Sequence, residues 1–404
     1  MNIQVIITII DFLLWLIIAA NVMYVLFFAL ASHLPKKTHL PSAIFHLPSS
    51  LSHQPSFLVL IPAYHEDTVI INTVESFLHQ DYPQDLYQLC VISDHMETIT
   101  NEKLAAFPIT LLQPTFEKSS KAKALQYAIS QTSNASHHPY DYVVILDADN
   151  GVATDFLSRL SQIVRPDIAI QCHRTAKNAD NDIAALDGLS EEINNSIFRR
   201  GHNRIGLSSA LIGSGMCFNY EWFKNNVNKL DSTVEDRELE ALLMKQGIFI
   251  HYSEDIQVLD EKVSNGDNFQ RQRLRWMTGQ VQALSQMLPY APKAIFTGNI
   301  NYIDKTIQQA LIPRSILLIL TPLFAFISFI IAFFIPHLSF IFYLWLLLLI
   351  LLIIAIFLSI PASLQTSALF SRIWAIPQLV WRMLMNILHI RTDNNEFIHT
   401  THQK

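Results

Sequence analysis

The sequence predicts an α/β fold: a mixed, mostly parallel sheet with helices on both faces, joined to transmembrane and interfacial helices. Three observations carry this expectation. Short, continuous apolar runs alternate with helical patterns through the middle of the chain, as strands buried on both faces do. Half of the 404 residues are apolar and only 15% are charged, against about 25% in an average soluble domain. The apolar excess is gathered at the N-terminus and toward the C-terminus, so it marks membrane segments rather than an enlarged core.

The elements follow in order. Phe12 to Ala31 carries no charge and, at about 20 residues, is long enough to cross a bilayer as a helix. Ala29-Leu30-Ala31 resembles a signal-peptidase site. However, no basic residue precedes the run and it exceeds a usual h-region, so residues 1–31 are expected to stay as an anchor. Residues 32–55 form a polar linker. A cytosolic domain over 56–295 opens with the strand Phe57 to Ile61, which ends at Pro62. A helix from Val69 to Gln80 follows, capped by Thr68 or Asp67. Leu89–Ile92 and Ile109–Leu112 read as strands, Lys121–Ser130 as a helix, and Tyr142–Leu146 as a strand that stops at a group of carboxylates. Ligands of such sheets bind beyond the carboxyl ends of the strands. That rule brings Glu66, Asp94, Asp147 and Asp149 to one edge.

Residues 296–314 are expected to form an interfacial helix, and 315–360 two spans joined by a turn at Pro336-His337. The last segment, 361–404, is read as an interfacial helix over 373–390, broken by Pro377, Arg382 and Asn386, with a cytosolic tail. A fourth span over 373–390 is the alternative. With three spans, Lys36, Lys37, Lys305, Arg314, Arg372 and Arg382 fall on one side. The positive-inside rule makes that side the cytosol, and the protein a multi-pass inner (cell) membrane protein.

Composition removes several function classes. A net charge of −6 argues against a nucleic-acid surface. Cys90, Cys172 and Cys217 are isolated, with neither disulfide nor zinc spacing, which suits a reducing compartment. His399 and His402 form an HxxH pair without a third ligand. Spans nearly free of charge offer no ion path, which disfavours a channel or transporter.

Three clusters carry chemistry. Asp147-Ala148-Asp149 is a DxD motif at a strand end. On an extended backbone both carboxylates point the same way, and such a pair can share a hard Mg²⁺ or Mn²⁺ ion with phosphate groups. Alone, the triplet also fits an ordinary strand-end turn. Gly213-Ser214-Gly215-Met216 supplies a loop of small side chains, and Thr233-Val234-Glu235-Asp236 leads a helix marked by Leu239, Leu242 and Leu243. Acids there also suit plain helix capping. Gln272-Arg273-Leu274-Arg275-Trp276 sets two guanidinium groups beside a glutamine, suited to a diphosphate, with an indole suited to a sugar face. An amphipathic helix with solvated arginines would read the same way.

DxD, then ED, then QxxRW, in that order, resembles the family 2 glycosyltransferases of GT-A fold. The likeness is closest to membrane synthases of the cellulose, hyaluronan and poly-N-acetylglucosamine type. Ile61-Pro62-Ala63-Tyr64-His65-Glu66 resembles the family's opening strand motif, and Lys121 with Ala124-Leu125 its K-x-x-A-L segment. The resemblance implies that Glu66 and Asp94 contact uridine and ribose and that Lys121 helps bind the nucleotide. Asp147 would face the nucleotide, and with Asp149 hold the metal on the diphosphate. Asp236 would be the general base. Gln272, Arg273 and Arg275 would grip the diphosphate and Trp276 the acceptor sugar. His95-Met96 after Asp94, and Gln126 where the family often has Asn, depart from the pattern.

The implied activity is inverting transfer of a sugar from a nucleotide-sugar, a UDP-sugar by this likeness, to a growing polysaccharide. Single transfer to a lipid acceptor is the alternative. A metal-dependent nucleotidyltransferase fits less well, because no glycine-rich phosphate loop is present. A non-catalytic membrane binding protein fits less well, because all the expected acids are. The implied partners are the donor, a carbohydrate or glycolipid acceptor and membrane lipid. Three spans are few for a polysaccharide channel, so an export partner or a homo-oligomer is added.

Overall fold

The computed structural model describes residues 3–36, 53–135, 140–232, 234–263, 265–335, 338–366 and 372. The expectations for Lys37, Thr233, Pro336-His337, Arg382, the HxxH pair and the 373–390 helix lie outside these residues.

Among the described residues the domain is built on one eight-stranded sheet: β1 (Phe57–Tyr64), β2 (Tyr87–Asp94), β3 (Thr110–Leu112), β4 (Tyr142–Ile145), β5 (Gly151–Val152), β6 (Ile168–Ala176), β7 (Met216–Asn219) and β8 (Phe249–Asp260). The order across the sheet is β3-β2-β1-β4-β7-β6-β8-β5. β1 runs parallel to β2 and β4, β2 to β3, and β6 to β8, while β7 lies antiparallel between β4 and β6 and β5 antiparallel on the edge. β1 shows why the strands read as unbroken apolar runs. Phe57, Val59 and Ile61 enter one core layer, Leu58 and Leu60 the other. Side chains alternate across a strand, so a sheet covered on both faces needs apolar residues at every position.

The first helix of the domain is Ile70–Phe77, shorter than the sequence pattern, and neither Thr68 nor Asp67 caps it. The Asp67 carboxylate instead accepts a hydrogen bond from the backbone N–H of Glu97 (2.8 Å), a tertiary contact that local propensity does not reveal. Lys121–Ala135, Glu235–Lys245 and Gly266–Met287 are the helices that carry the polar residues singled out in the sequence.

Among the described residues, three helices are long and apolar enough to cross a membrane: Ile3–Ala31, with its apolar window over Thr8–Ala31, then Arg314–Phe334 and Ser339–Ser359. Val22, Leu317, Trp345 and Leu352 form their shared core. The first begins earlier than the uncharged run and includes Asp11, whose carboxylate accepts from the Trp345 indole (3.1 Å).

The bundle is fastened to the domain by polar contacts. The Tyr24 hydroxyl donates to Asp304 (2.7 Å) and lies 3.0 Å from His202, and Gln308 donates to Asp304 (2.8 Å). His202 stacks on Phe28 at 3.6 Å. A π-helical turn over Asn195–Gly201 lies against the first span. There a Cβ on Gly201 would stand 2.4 Å from the Phe28 carbonyl oxygen, so only glycine allows this approach. Lys36 pairs with Asp255, Arg314 donates to Ser190 O and Arg372 to Ala179 O. The described cations at the span ends thus all meet the same domain. Helix Ile300–Ala310 buries its polar face, Asp304, Lys305 and Gln308 included, and exposes Ile300 and Ile307 beside the exposed Ile295 and Phe296. That inverted amphipathicity suits a helix lying at a membrane surface.

Candidate active site

The parallel register of β1 and β2 pairs Tyr64 with Asp94, so the chain leaves both strands at one edge. The next residues, His65 (φ 55°) and His95 (φ 54°), are both left-handed, with rings 5.8 Å apart. Such a backbone costs a non-glycine residue about 1–2 kcal/mol and persists only where the surroundings enforce it. Asp94 is buried, its Oδ1 2.6 Å from His95 Nδ1.

Asp147-Ala148-Asp149 does not extend β4. It forms a turn closed by the Asn150 N–H on the Asp147 carbonyl (3.1 Å), with the Asn150 side chain accepting from the Asp147 N–H (3.0 Å). Both carboxylates still reach one cavity, through turn geometry rather than strand alternation. Lys121 begins its helix beside them. Its Nζ bonds Asp147 and the Gly213 carbonyl (2.7 Å) and stands 3.6 Å from Glu235 Oε1. Burial lowers this ammonium's pKa, but Asp147 and Glu235 outweigh it and hold the pKa above its ordinary value.

Glu235 and Asp236 open the helix Glu235–Lys245. Burial pushes the Glu235 carboxyl up to about 7, opposed by Lys121 and helped by Asp236. The Asp236 Oδ1 accepts from the Arg237 N–H (2.9 Å). Gly213, at φ 83°, faces all three groups. A Cβ there would lie 3.9 Å from Asp236 Oδ2 and 4.0 Å from both Glu235 Oε1 and Lys121 Nζ.

Asn265 caps the helix Gly266–Met287, accepting from the Asp267 N–H (2.8 Å). Its second and third turns carry Gln272, Arg273, Arg275 and Trp276. Arg273 is bonded to Asp187 and lies 4.5 Å over the Trp276 ring. Gln272 Oε1 and Arg273 Nε are buried without a hydrogen-bond partner, an arrangement a folded protein rarely leaves in its own interior. Gly279, further along this helix, packs against Val234, the residue before Glu235.

Glu66, Asp94, Lys121, Asp147, Asp149, Asp236, Gln272, Arg273, Arg275 and Trp276 all line one cavity of about 330 Å³. Distant segments therefore bring these ten residues to the same place. Others were missed. Arg174 bonds Glu191 (2.7 Å) and approaches Asp260 (3.7 Å) and Asp147 (3.9 Å), and Lys262 pairs with Asp260 (2.7 Å) and Glu191. Burial alone would raise the Glu191 pKa, but Arg174 and Lys262 hold it well below the carboxylate range. The strand-end rule that picked out Asp147 would also have found Arg174, near the end of β6, and Asp260, at the end of β8.

The charge balance bears on a metal. Ten acidic and seven basic side chains line the cavity, an acid excess that would repel a diphosphate unless a cation came with it. Among the described residues no group of three or more His, Cys, Asp or Glu could hold a metal alone. Asp147 and Asp149 are thus a two-carboxylate set, the kind that binds Mg²⁺ or Mn²⁺ together with phosphate oxygens and water.

A sequence profile described as glycosyltransferase like family 2 matches residues 54–279. Among solved structures, the mannosyltransferase PcManGT from Pyrobaculum calidifontis, in complex with GDP-Man and Mn2+, is 16% identical. The match covers 84% of this chain and 96% of that one, at a TM-score of 0.48. TarS of S. aureus is 15% identical over 58% of this chain and 40% of its own, TM-score 0.36. Its 1–349 fragment in complex with UDP-GlcNAc is 12% identical over 65% and 85%, TM-score 0.37. No curated protein matches the sequence.

Proposed function

The chain belongs to the glycosyltransferase-like family 2, and from that premise we propose that it is an inverting, metal-dependent transferase using a nucleotide-sugar donor, a UDP-sugar by the sequence likeness. One observation carries the reading. The DxD turn, the Glu235-Asp236 helix start and the QxxRW helix come from distant segments and line one cavity. Its volume is in the range of small-ligand sites, about 300–1,000 Å³.

The reaction is a single displacement at the anomeric carbon, so the configuration inverts. Glu66, Asp94 and Lys121 hold the nucleoside end. Gln272, Arg273 and Arg275 hold the diphosphate, with Arg273 exchanging Asp187 for it. Asp147 and Asp149 would hold Mg²⁺ or Mn²⁺, which when bound supplies neutralising charge at the diphosphate. Preorganised guanidinium groups stabilise the leaving group as its charge grows. Asp236 removes the proton of the attacking hydroxyl. Glu235, kept partly protonated by burial, limits the negative charge beside it.

We place the catalytic domain, 56–295, on the cytosolic side of the inner membrane, anchored by 1–31 and 315–360. The QxxRW motif favours a membrane synthase extending a polysaccharide. A second apolar cavity opening off the site, lined by the spans and by Trp276, favours single transfer to a lipid. The deciding experiment incubates membranes with a panel of labelled nucleotide-sugars and measures product length and lipid content, with Asp149→Ala as control. Equal incorporation by parent and control, or none from any donor, would defeat the proposal.

A further inference from the structure

The second cavity, about 360 Å³, runs from the catalytic site to the membrane bundle. Asn194, Arg199, Leu211, Arg237, Arg273 and Trp276 line both cavities. At its far end Val25, Leu318 and Ile356 come one from each spanning helix. The wall between includes an apolar stretch, Leu186, Leu189, Ile193, Phe198, Phe269 and Met277, beside polar side chains such as Asn194, Gln280 and Gln308. A polysaccharide carries several free hydroxyls on every sugar ring, and the apolar stretch offers them no partners, which makes burial against it costly. A hydrocarbon chain gains from the same wall.

The charges are as informative. Arg199, Arg237, Arg273 and Arg314 line this cavity with a single carboxylate, Glu240; the first three stand at the junction with the catalytic cavity, where Arg273 is held by Asp187, and Arg314 lines this cavity alone. Arg199 is 4% exposed and, among the described residues, bonds only Asn195 Oδ1 (2.8 Å) and leaves its Nε without a partner. Arg314 donates to the carbonyl and hydroxyl of Ser190 (2.9 and 3.3 Å). Neither has a carboxylate within ion-pair distance among the described residues. A buried cation without a counter-ion is strongly unfavourable, and an arriving anion relieves it.

Resting on the transferase reading, we infer that the acceptor is a phosphate-bearing membrane lipid with a free headgroup hydroxyl. Its hydrocarbon chain lies in the second cavity, its phosphate against Arg199 and Arg314, and its hydroxyl at Asp236. The bond from the anomeric carbon to the donor diphosphate breaks, its electron pair leaving on the diphosphate. The headgroup oxygen forms the new bond to that carbon, and its proton passes to Asp236. Trp276, lining both cavities, covers the junction.

The test uses the purified full chain in phosphatidylcholine vesicles with a panel of labelled nucleotide-sugars. One arm adds phosphatidylglycerol, which has phosphate and hydroxyl. A second adds diacylglycerol, which has hydroxyl alone. A third adds a soluble oligosaccharide. Label should enter the organic phase in the first arm at least about tenfold above the others, the discrimination a charge-assisted contact gives. Arg314→Gln should raise the KM for phosphatidylglycerol by about tenfold, with the donor KM unchanged. Leu189→Trp, which fills the cavity, should lower lipid transfer in the same way. Diacylglycerol accepted equally, label going only to soluble polymer, or both variants behaving as the parent would overturn the lipid assignment. If both variants fail to fold, the comparison of arms decides alone. Donor binding or donor hydrolysis without transfer to lipid refutes this inference only, whereas loss of donor binding as well refutes the transferase reading beneath it.

Discussion

Gly279→Ala tests whether the QxxRW helix sets the position of the acidic pair. Within a helix this change normally stabilises, by about 1 kcal/mol. Here the added Cβ would meet Val234 Cγ1 at 2.2 Å, where carbon atoms ordinarily rest about 3.7 Å apart. Closing that gap requires a relative movement of about 1.5 Å, and overpacking of this kind costs about 1–3 kcal/mol. The clash outweighs the propensity gain. Val234 is followed directly by Glu235 and Asp236, so its movement carries the carboxylates with it. A misplacement of about 1 Å at a reacting group costs about 10²-fold. Gly279→Ala should therefore lower kcat by about 10–100-fold, with donor KM much less affected, in a radiolabel transfer assay. Val234→Ala in the same chain removes both methyl groups and leaves the closest approach at 3.2 Å to Cβ. The double variant should recover most of the lost rate, and a double-mutant cycle measures the coupling. Parent-like turnover in Gly279→Ala, or no recovery in the double variant, would refute the reasoning.

Three further outcomes are expected. Chelation should abolish transfer and Mn²⁺ or Mg²⁺ restore it, with Asp149→Ala losing at least about 10²-fold while staying folded; full activity in excess EDTA would contradict the metal role. Glu235 has its pKa raised from 4.5 to about 7 in the folded chain, so the stability it gives is complete below pH 4.5 and lost as pH rises through about 7. Glu235→Gln should then melt higher than the parent at pH 8, by up to about 3 kcal/mol, and show no advantage at pH 4; equal shifts at both pH values would exclude the effect. Tags in the domain and after Lys404 should both report the cytosol, and a periplasmic C-terminus would show that 373–390 crosses the membrane.

Much of this site was legible because its chemistry sits where chain geometry forces it. A buried parallel strand must be apolar throughout, so β1, β2 and β4 announce themselves and the residues after them are candidates by position alone. Glu66, Asp94, Asp147 and Asp149 came from that rule without any pairing information. What stayed hidden depends on contacts between remote segments. Asp67 looks like a helix cap until Glu97 arrives to use its carboxylate. Arg273 looks like a free diphosphate ligand until Asp187, 86 positions away, engages it. The DxD triplet reads as extended backbone until Asn150, held by Ser214 and Asp260 from remote segments, folds it into a turn. In each case local propensity is overridden by a tertiary partner that sequence spacing does not reveal.

Tertiary contacts of the same kind tie the domain to the first span. Lys305 is fully buried, with Asp304 3.8 Å away, and Glu240 is buried on the neighbouring helix. Burial lowers the pKa of Lys305 and raises that of Glu240, and each charge moderates the shift of the other. Opposite buried charges of this kind are tolerable only while they stay together. Asp304 receives the Tyr24 hydroxyl of the first span, and Glu240 accepts from the Leu211 N–H (2.8 Å), in the loop that leads to Gly213. Moving the span away would expose Asp304 and loosen the pairing around Lys305, within a few residues of the loop that lies against Lys121, Glu235 and Asp236. The anchor is thus part of the electrostatic framework of the site, and the cavity reaching from Trp276 to Val25 lies along the same seam.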